Sequence, residues 1–280
     1  MNMQTIPPLN AAAALKRFGL RPSKGLGQNF LQDSAALEKI CEAAEITADD
    51  FVLEIGPGLG SLTRYLAASA REVLAVELDG EILPALAEIL RPYKNARVIH
   101  ADILKTKMSE LVSAPNYIVA ANIPYYITSA VIRHLLESDL QPRRIVLTIQ
   151  KEVAERICAT PGDLSLLALS AQVYGEPRLM AKIPAASFYP APKVDSAILR
   201  IDMRPQPLIA KEALPRFFQL IKAGFGQKRK TLRNALAAGL HVSREEVESM
   251  LSAAGIDFMR RAETLNMDEW RLLCETPKQN

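Results

Sequence analysis

Phe51-Val52-Leu53-Glu54-Ile55-Gly56-Pro57-Gly58-Leu59-Gly60-Ser61 reads as a strand, a turn and the start of a helix. Its first five residues are mostly branched or aromatic and have the length of a buried strand. The glycines that follow let the backbone turn tightly and approach a ligand without side-chain obstruction. A helix is predicted from Ser61 to Ala70, and the alternation then continues. Val73–Glu77 predicts a second strand, Gly80–Leu90 a helix, Arg97–His100 a third strand and Tyr117–Ala121 a fourth. Ser129–Glu137 predicts a helix, Ile145–Gln150 a fifth strand and Val194–Asp202 a late one. Strands separated by helical patterns imply a parallel sheet covered on both faces, so the expected fold class is α/β, Rossmann-like and doubly wound.

The flanks read differently. Residues 1–24 are expected to be a basic N-terminal arm carrying Lys16, Arg17, Arg21 and Lys24, with one short helix over Ala11–Phe18. The break Arg204-Pro205-Gln206-Pro207 ends a sheet domain expected over 25–203. Beyond it, Leu214, Phe217, Phe218 and Ile221 make one apolar helical stripe. Ser243 with Glu246, and Asn266 with Glu269, read as capping boxes. A small all-helical domain is expected over 208–280.

With 49% hydrophobic residues in 280, the chain can bury a sizeable core. A net charge of +3 is too small by itself to imply nucleic acid, and where the charges cluster matters more. No apolar run approaches the ~20 residues of a membrane span. Lys16 and Arg17 follow the apolar stretch Ala11–Leu15 instead of preceding it, so neither a leader peptide nor a membrane partner is expected. Cys41, Cys158 and Cys274 lie far apart, which argues against a disulfide framework and for a reducing cytoplasm. His100, His134 and His241 have no metal-ligand spacing with them, so no metal is expected.

Two ligand classes compete for the glycine turn. A dinucleotide fingerprint needs Gly-x-Gly-x-x-Gly, but position 61 is Ser and the third glycine comes one residue early. Methyltransferases that use S-adenosylmethionine carry an acidic residue ahead of Gly-x-Gly-x-Gly, which Glu54, Gly56, Gly58 and Gly60 fit. Glu54 also reads as an ordinary strand-end carboxylate. Glu77 ends the second strand, where a carboxylate accepts both ribose hydroxyls. Asp102, after the third strand, is placed to accept from an adenine amine or to cap a helix.

Asn122-Ile123-Pro124-Tyr125-Tyr126 follows the fourth strand. A carboxamide, a rigid proline and an aromatic ring at a strand end suit a flat base with an exocyclic amine. The Asn122 amide oxygen and the Ile123 carbonyl would accept the two N–H groups, Pro124 would fix the turn, and Tyr125 would stack on the base. Tyr126 is read as packing. Phe188, in the proline-spaced loop Phe188–Val194, would close the far side of the pocket, with a plain surface loop as the alternative. Lys222, Lys228, Arg229, Lys230 and Arg233, together with the pair Arg143 and Arg144, read as RNA phosphate contacts or as solvated helix faces.

Jointly these motifs resemble the KsgA family of small-subunit ribosomal RNA adenine-N6 dimethyltransferases, from Gly25 to the C-terminal helices. Gly27-Gln28-Asn29-Phe30-Leu31 is similar to the family's N-terminal motif, which implies that Asn29 and Leu31 border the cofactor. Gly56, Glu77, Asp102 and Asn122 fall on its other S-adenosylmethionine contacts. Gln150–Val153, Phe188–Ser196 and Ala223–Asn234 resemble its later signatures. The resemblance implies a seven-stranded methyltransferase sheet and an enzyme that dimethylates N6 of two adjacent adenosines near the 3′ end of 16S RNA. It implies action on the immature 30S subunit, late in biogenesis; nothing in the sequence suggests more than a monomer. The rivals are the large-subunit adenine methyltransferase of macrolide resistance, which lacks the Gln227–Asn234 signature, and a non-catalytic nucleic-acid-binding assembly factor. Ala130, Gly162-Asp163 and Tyr126 depart from common family residues.

Overall fold

The computed structural model describes residues 6–276. In chain order its elements begin with α1 (Ala11–Arg17), β1 (Phe30–Leu31), α2 (Ser34–Ala44), β2 (Phe51–Ile55), α3 (Ser61–Ser69) and β3 (Glu72–Glu77). Next come α4 (Leu83–Leu90), β4 (Ala96–His100), α5 (Met108–Leu111), β5 (Ile118–Asn122), α6 (Thr128–Leu136), β6 (Arg144–Gln150) and α7 (Lys151–Ile157). Then follow α8 (Leu166–Gln172), β7 (Gly175–Ile183), β8 (Phe188–Tyr189), β9 (Ser196–Met203), α9 (Leu214–Phe225), α10 (Leu232–Leu240), α11 (Arg244–Ala253) and α12 (Met267–Glu275).

Seven strands form one sheet in the order β4-β3-β2-β5-β6-β9-β7, and β1 pairs with β8 in a separate ribbon. β2 through β6 are parallel, and β9 runs antiparallel to β6. Val52, Leu53 and Ile118 to Ala121 are almost wholly buried, as expected for inner strands covered on both faces. Sequence order runs outward from β2 to β4 in one direction and from β5 to β6 in the other. The carboxyl ends of these two strands therefore flank a topological switch point, where open α/β sheets form their binding crevice. This brings the turn at Gly56 and the strand end at Asn122 to one place.

The six strands predicted from sequence begin and end within two residues of the observed ones. β7 was not located beforehand. It is an edge strand with alternating burial, carrying Glu176, Arg178 and Lys182, and its charged outer face hides the apolar pattern.

Three expectations need correction. First, the N-terminal segment is not a free arm. Ala11 and Leu15 are buried against Phe30, Leu59, Ile82 and Ala85. The Ala11 N–H donates to Gln32 Oε1 at 2.9 Å, and Arg64 reaches the Pro7 carbonyl. Burying Leu15 contributes about 2 kcal/mol toward holding α1 down.

Second, the helical unit is not confined to the residues after 204. Residues 155–176 leave the sheet unit (6–154 and 177–203) and join 204–276 in the helical unit. The Tyr174 ring lies 6.3 Å from that of Phe218. The Arg204 and Leu208 N–H groups donate to the carbonyls of Tyr174 and Val173, both at 2.9 Å. Within that unit both predicted capping boxes form. Gly224 and Gly239 let helices approach closely: a Cβ at Gly224 would lie 2.8 Å from the Trp270 ring, and one at Gly239 would lie 2.5 Å from Ala223.

Third, Arg143 and Arg144 are not free cations but are engaged in ion pairs inside the sheet unit. Arg143 donates to Asp50 Oδ1 and the Asn116 carbonyl, both at 2.7 Å. Arg144 donates to Asp202 Oδ1 and the Ala44 carbonyl at 2.7 Å, and pairs with Glu45 at 2.9 Å. With Arg200 on the same Asp202 and Glu45, they tie the end of α2 to β6 and β9. In the helical unit Arg233 is likewise occupied, by Glu248 and the face of Phe258.

Candidate active site

A cavity of about 310 Å³ opens at the switch point. Its walls are the turn after β2, the ends of β3 and β5, the loop after β4, residues 26–31 and Phe188. Pockets of this size hold small organic ligands.

The glycine turn forms the floor. Gly56 and Gly58 have φ of +67° and +57°, a region that disfavours other residues. A Cβ at Gly58 would also come within 3.0 Å of the Phe30 ring, so the N-terminal motif packs directly on the turn. Glu77 is buried at the end of β3, where its two oxygens accept the Gly58 N–H at 3.0 Å and the Asp79 N–H at 2.8 Å. A carboxylate has about four acceptor sites, so each oxygen keeps one for a ligand hydroxyl. Burial pushes the Glu77 carboxyl above its ordinary range, while the backbone N–H groups oppose the rise.

Glu54 lines the same cavity and is 1% exposed, and among the described residues its Oε2 has no hydrogen-bond partner. Burial pushes its carboxyl up to about 8, with the Thr63 hydroxyl opposing and the nearby Glu77 adding to the rise. In the folded chain Glu54 holds its proton to about pH 8, whereas the ordinary value is 4.5. Between those values the folded state binds more protons than the unfolded one, so stability falls as pH rises. Glu54→Gln removes this slope. In thermal denaturation of the cofactor-free protein, the variant should gain on its parent steadily between pH 5 and pH 8. A difference that stays constant across that range would show that the carboxyl titrates normally.

Asp102 does not cap a helix. Its Oδ1 accepts the Leu104 N–H at 3.1 Å in a turn, and the next helix begins only at Met108. Asp102 lines the cavity beside Ile103 and Leu104, and its Oδ2 pairs with Lys105 at 3.3 Å.

The N-terminal loop closes another side. Gln28 Nε2 donates to Asp79 Oδ2 at 2.6 Å, and its Oε1 accepts the Ser23 N–H at 2.8 Å. This clip next to Glu77 fixes Asn29, whose carbonyl accepts Asn122 Nδ2 at 3.0 Å. The Asn122 amide is thereby oriented with Nδ2 occupied and Oδ1 as its remaining acceptor. Tyr125 stands on the short turn after Pro124, and its hydroxyl bonds Ser196 Oγ at 2.7 Å. Ser196 is opposite Gln150 in the β6–β9 pair, so the antiparallel strand sets the tyrosine. Phe188 is buried and pairs with Leu31 in the β1–β8 ribbon, which places both at the cavity.

The family of ribosomal RNA adenine dimethylases matches residues 20–277 of this sequence. The chain belongs to the ribosomal RNA adenine dimethylase family. It is 48% identical to the Ribosomal RNA small subunit methyltransferase A of Dehalococcoides mccartyi (strain CBDB1), over 96% of this chain and 93% of that one. It is 40% identical to the protein of the same name from Alkaliphilus metalliredigens, over 96% of each chain. Among solved structures, the 23S rRNA methyltransferase ErmE superposes with a TM-score of 0.71 at 32% identity, covering 90% of this chain and all of that one. A dimethyladenosine transferase from Plasmodium falciparum gives 0.72 at 26% identity, covering 87% and 95%.

This dimethylase family uses S-adenosylmethionine, and the site fits such a ligand. Glu54 brings a buried carboxyl to the lining of a cavity that would receive a sulfonium and an ammonium. Glu77 adds a second buried carboxyl that would accept ribose hydroxyls, and no Cβ fills the floor at Gly56 or Gly58. Every cofactor and base-pocket residue expected in this dimethylase, from Asn29 to Phe188, lines the one cavity. Of the expected RNA contacts, Lys222, Lys228, Arg229 and Lys230 are exposed, whereas Arg143, Arg144 and Arg233 are internally paired. Sequence reasoning missed the Gln28 clip and Ser196, which no spacing signals. It also misread Tyr126, which is 60% exposed instead of packed.

Proposed function

We propose that this chain methylates N6 of two adjacent adenosines in the 3′-terminal hairpin of 16S rRNA, giving N6,N6-dimethyladenosine. Its substrate is the immature small subunit, and it acts in the cytoplasm as a monomer. The observation that carries this reading is the Asn122 amide, fixed through Nδ2 on the Asn29 carbonyl with Oδ1 left to accept from an exocyclic amine. The similarity to small-subunit enzymes and the exposed Lys228, Arg229 and Lys230 support an RNA substrate.

The nitrogen of an adenine amine is a weak nucleophile because its lone pair is conjugated into the ring. In the first transfer Asn122 Oδ1 and the Ile123 carbonyl take its two N–H bonds and favour a pyramidal nitrogen whose lone pair points away from both; each transfer releases one of these protons to solvent, and the single N–H that remains orients the second. Tyr125 and Phe188 clamp the base, and stacking of ~1–3 kcal/mol offsets much of the cost of extruding it. Glu77, Asp102, Asn29, Leu31 and the glycine turn hold S-adenosylmethionine, which supplies an activated methyl group on its sulfonium sulfur. Catalysis by these residues is chiefly positioning with preorganised dipoles.

Transfer of labelled methyl from S-adenosylmethionine to immature small subunits, followed by nucleoside mass spectrometry, tests this. The expected product is N6,N6-dimethyladenosine at adjacent positions, with isolated large-subunit RNA unlabelled. Preferential labelling of large-subunit RNA would instead support the macrolide-resistance activity, and no transfer to either would support a non-catalytic role.

A further inference from the structure

Tyr126 has no role in the chemistry above, and packing does not explain it. The ring is 60% exposed yet lines the cavity whose wall its neighbour Tyr125 forms. The two tyrosines follow one another on a short turn with about three residues per revolution, so their side chains diverge by about 120°. Tyr125 turns inward and is held by Ser196 at 2.7 Å. Tyr126 is left at the rim.

The rim tyrosine is also seated. A Cβ built on Gly27 would lie 3.3 Å from both Cδ1 and Cε1 of Tyr126, and 3.4 Å from the Pro124 Cβ. One edge of the ring therefore rests on a bare stretch of backbone beside a proline. Gly27 has φ +61°, and the next residue, Gln28, is clipped to Asp79 at 2.6 Å. The glycine leaves room for that edge, and the residue stays 60% exposed.

We infer that Tyr126 is a substrate-positioning residue that stacks on the nucleobase next to the one inserted in the cavity. This rests on the RNA-methylating reading proposed above. A base drawn out of its stack leaves its neighbour with one bare face, and an exposed aromatic ring at the cavity mouth covers such a face regardless of base identity. Where the substrate carries two adjacent target adenosines, the neighbour is the other target. Tyr126 then holds one adenosine while Asn122 and Tyr125 process the other.

Steady-state methylation of immature small subunits by the parent, Tyr126→Phe and Tyr126→Ala tests this. Tyr126→Ala should raise KM for the subunit about tenfold or more, the effect of losing one stacked base, with the cofactor Kd and melting temperature unchanged. Tyr126→Phe keeps the ring and should match the parent. Mass spectrometry at the two adenosines should show the alanine variant accumulating subunits modified at one position only. An unchanged KM and normal double modification in Tyr126→Ala would overturn the inference while leaving the enzyme's function intact. A raised KM accompanied by a lower melting temperature and a weaker cofactor Kd would also overturn it, by assigning the residue to packing. If the parent itself leaves small subunits unmethylated, the functional reading falls and takes the inference with it.

Discussion

Asn122→Ala should lower kcat for methyl transfer about 100- to 1000-fold, the range seen when one preorganised polar contact to a reacting centre is removed. The Asn122 carboxamide is tied at one end to the Asn29 carbonyl at 3.0 Å, so its oxygen costs no reorganisation when the amine arrives. Alanine deletes both the acceptor and the tie. The cofactor cavity keeps its glycine floor, Glu77 and Asp102, so S-adenosylmethionine should bind less than about tenfold more weakly, the change expected from one weakened neutral contact. Isothermal calorimetry for the cofactor and single-turnover transfer for the chemistry separate the two effects. Normal turnover in the variant would remove Asn122 from the mechanism.

Glu77→Ala should do the opposite, raising the cofactor Kd about 100-fold, since each hydrogen bond to a charged group contributes ~1.5–3 kcal/mol. The carboxylate already holds the Gly58 and Asp79 N–H groups at 3.0 and 2.8 Å, so its loss also leaves two backbone donors in the cavity wall unpaired. Turnover at saturating cofactor should fall far less than in Asn122→Ala, because the proposed assignment puts Glu77 at the ribose end and not at the amine. An unchanged Kd would contradict the ribose assignment. The two variants together form a test by contrast: one damages the chemical step, the other ligand binding.

What could be read from the sequence was what the sheet places at its strand ends. Glu77 and Asn122 each terminate an apolar run, and parallel α/β topology turns such positions into cavity walls. Gly56 and Gly58 were legible because positive φ is a backbone demand that glycine meets. Long-range pairings were not legible. Nothing in the spacing of Gln28 and Asp79, or of Tyr125 and Ser196, says that they meet. Arg144 looked like a surface cation in an exposed pair, but a partner far along the chain, Asp202, claims it through the β6–β9 register. β7 escaped because an edge strand needs apolar residues on one face only. Tyr126 was misjudged because aromatic residues usually pack, whereas it stays 60% exposed with one edge beside Gly27, far off in sequence.

The most direct measurement is a crystal structure of the protein with sinefungin and an RNA hairpin carrying adjacent adenosines. The expected result is an extruded adenine between Tyr125 and Phe188, with N6 about 3 Å from both Asn122 Oδ1 and the Ile123 carbonyl. An adenine bound with N6 turned away from Asn122, or a crevice that stays too narrow to admit a base, would contradict it.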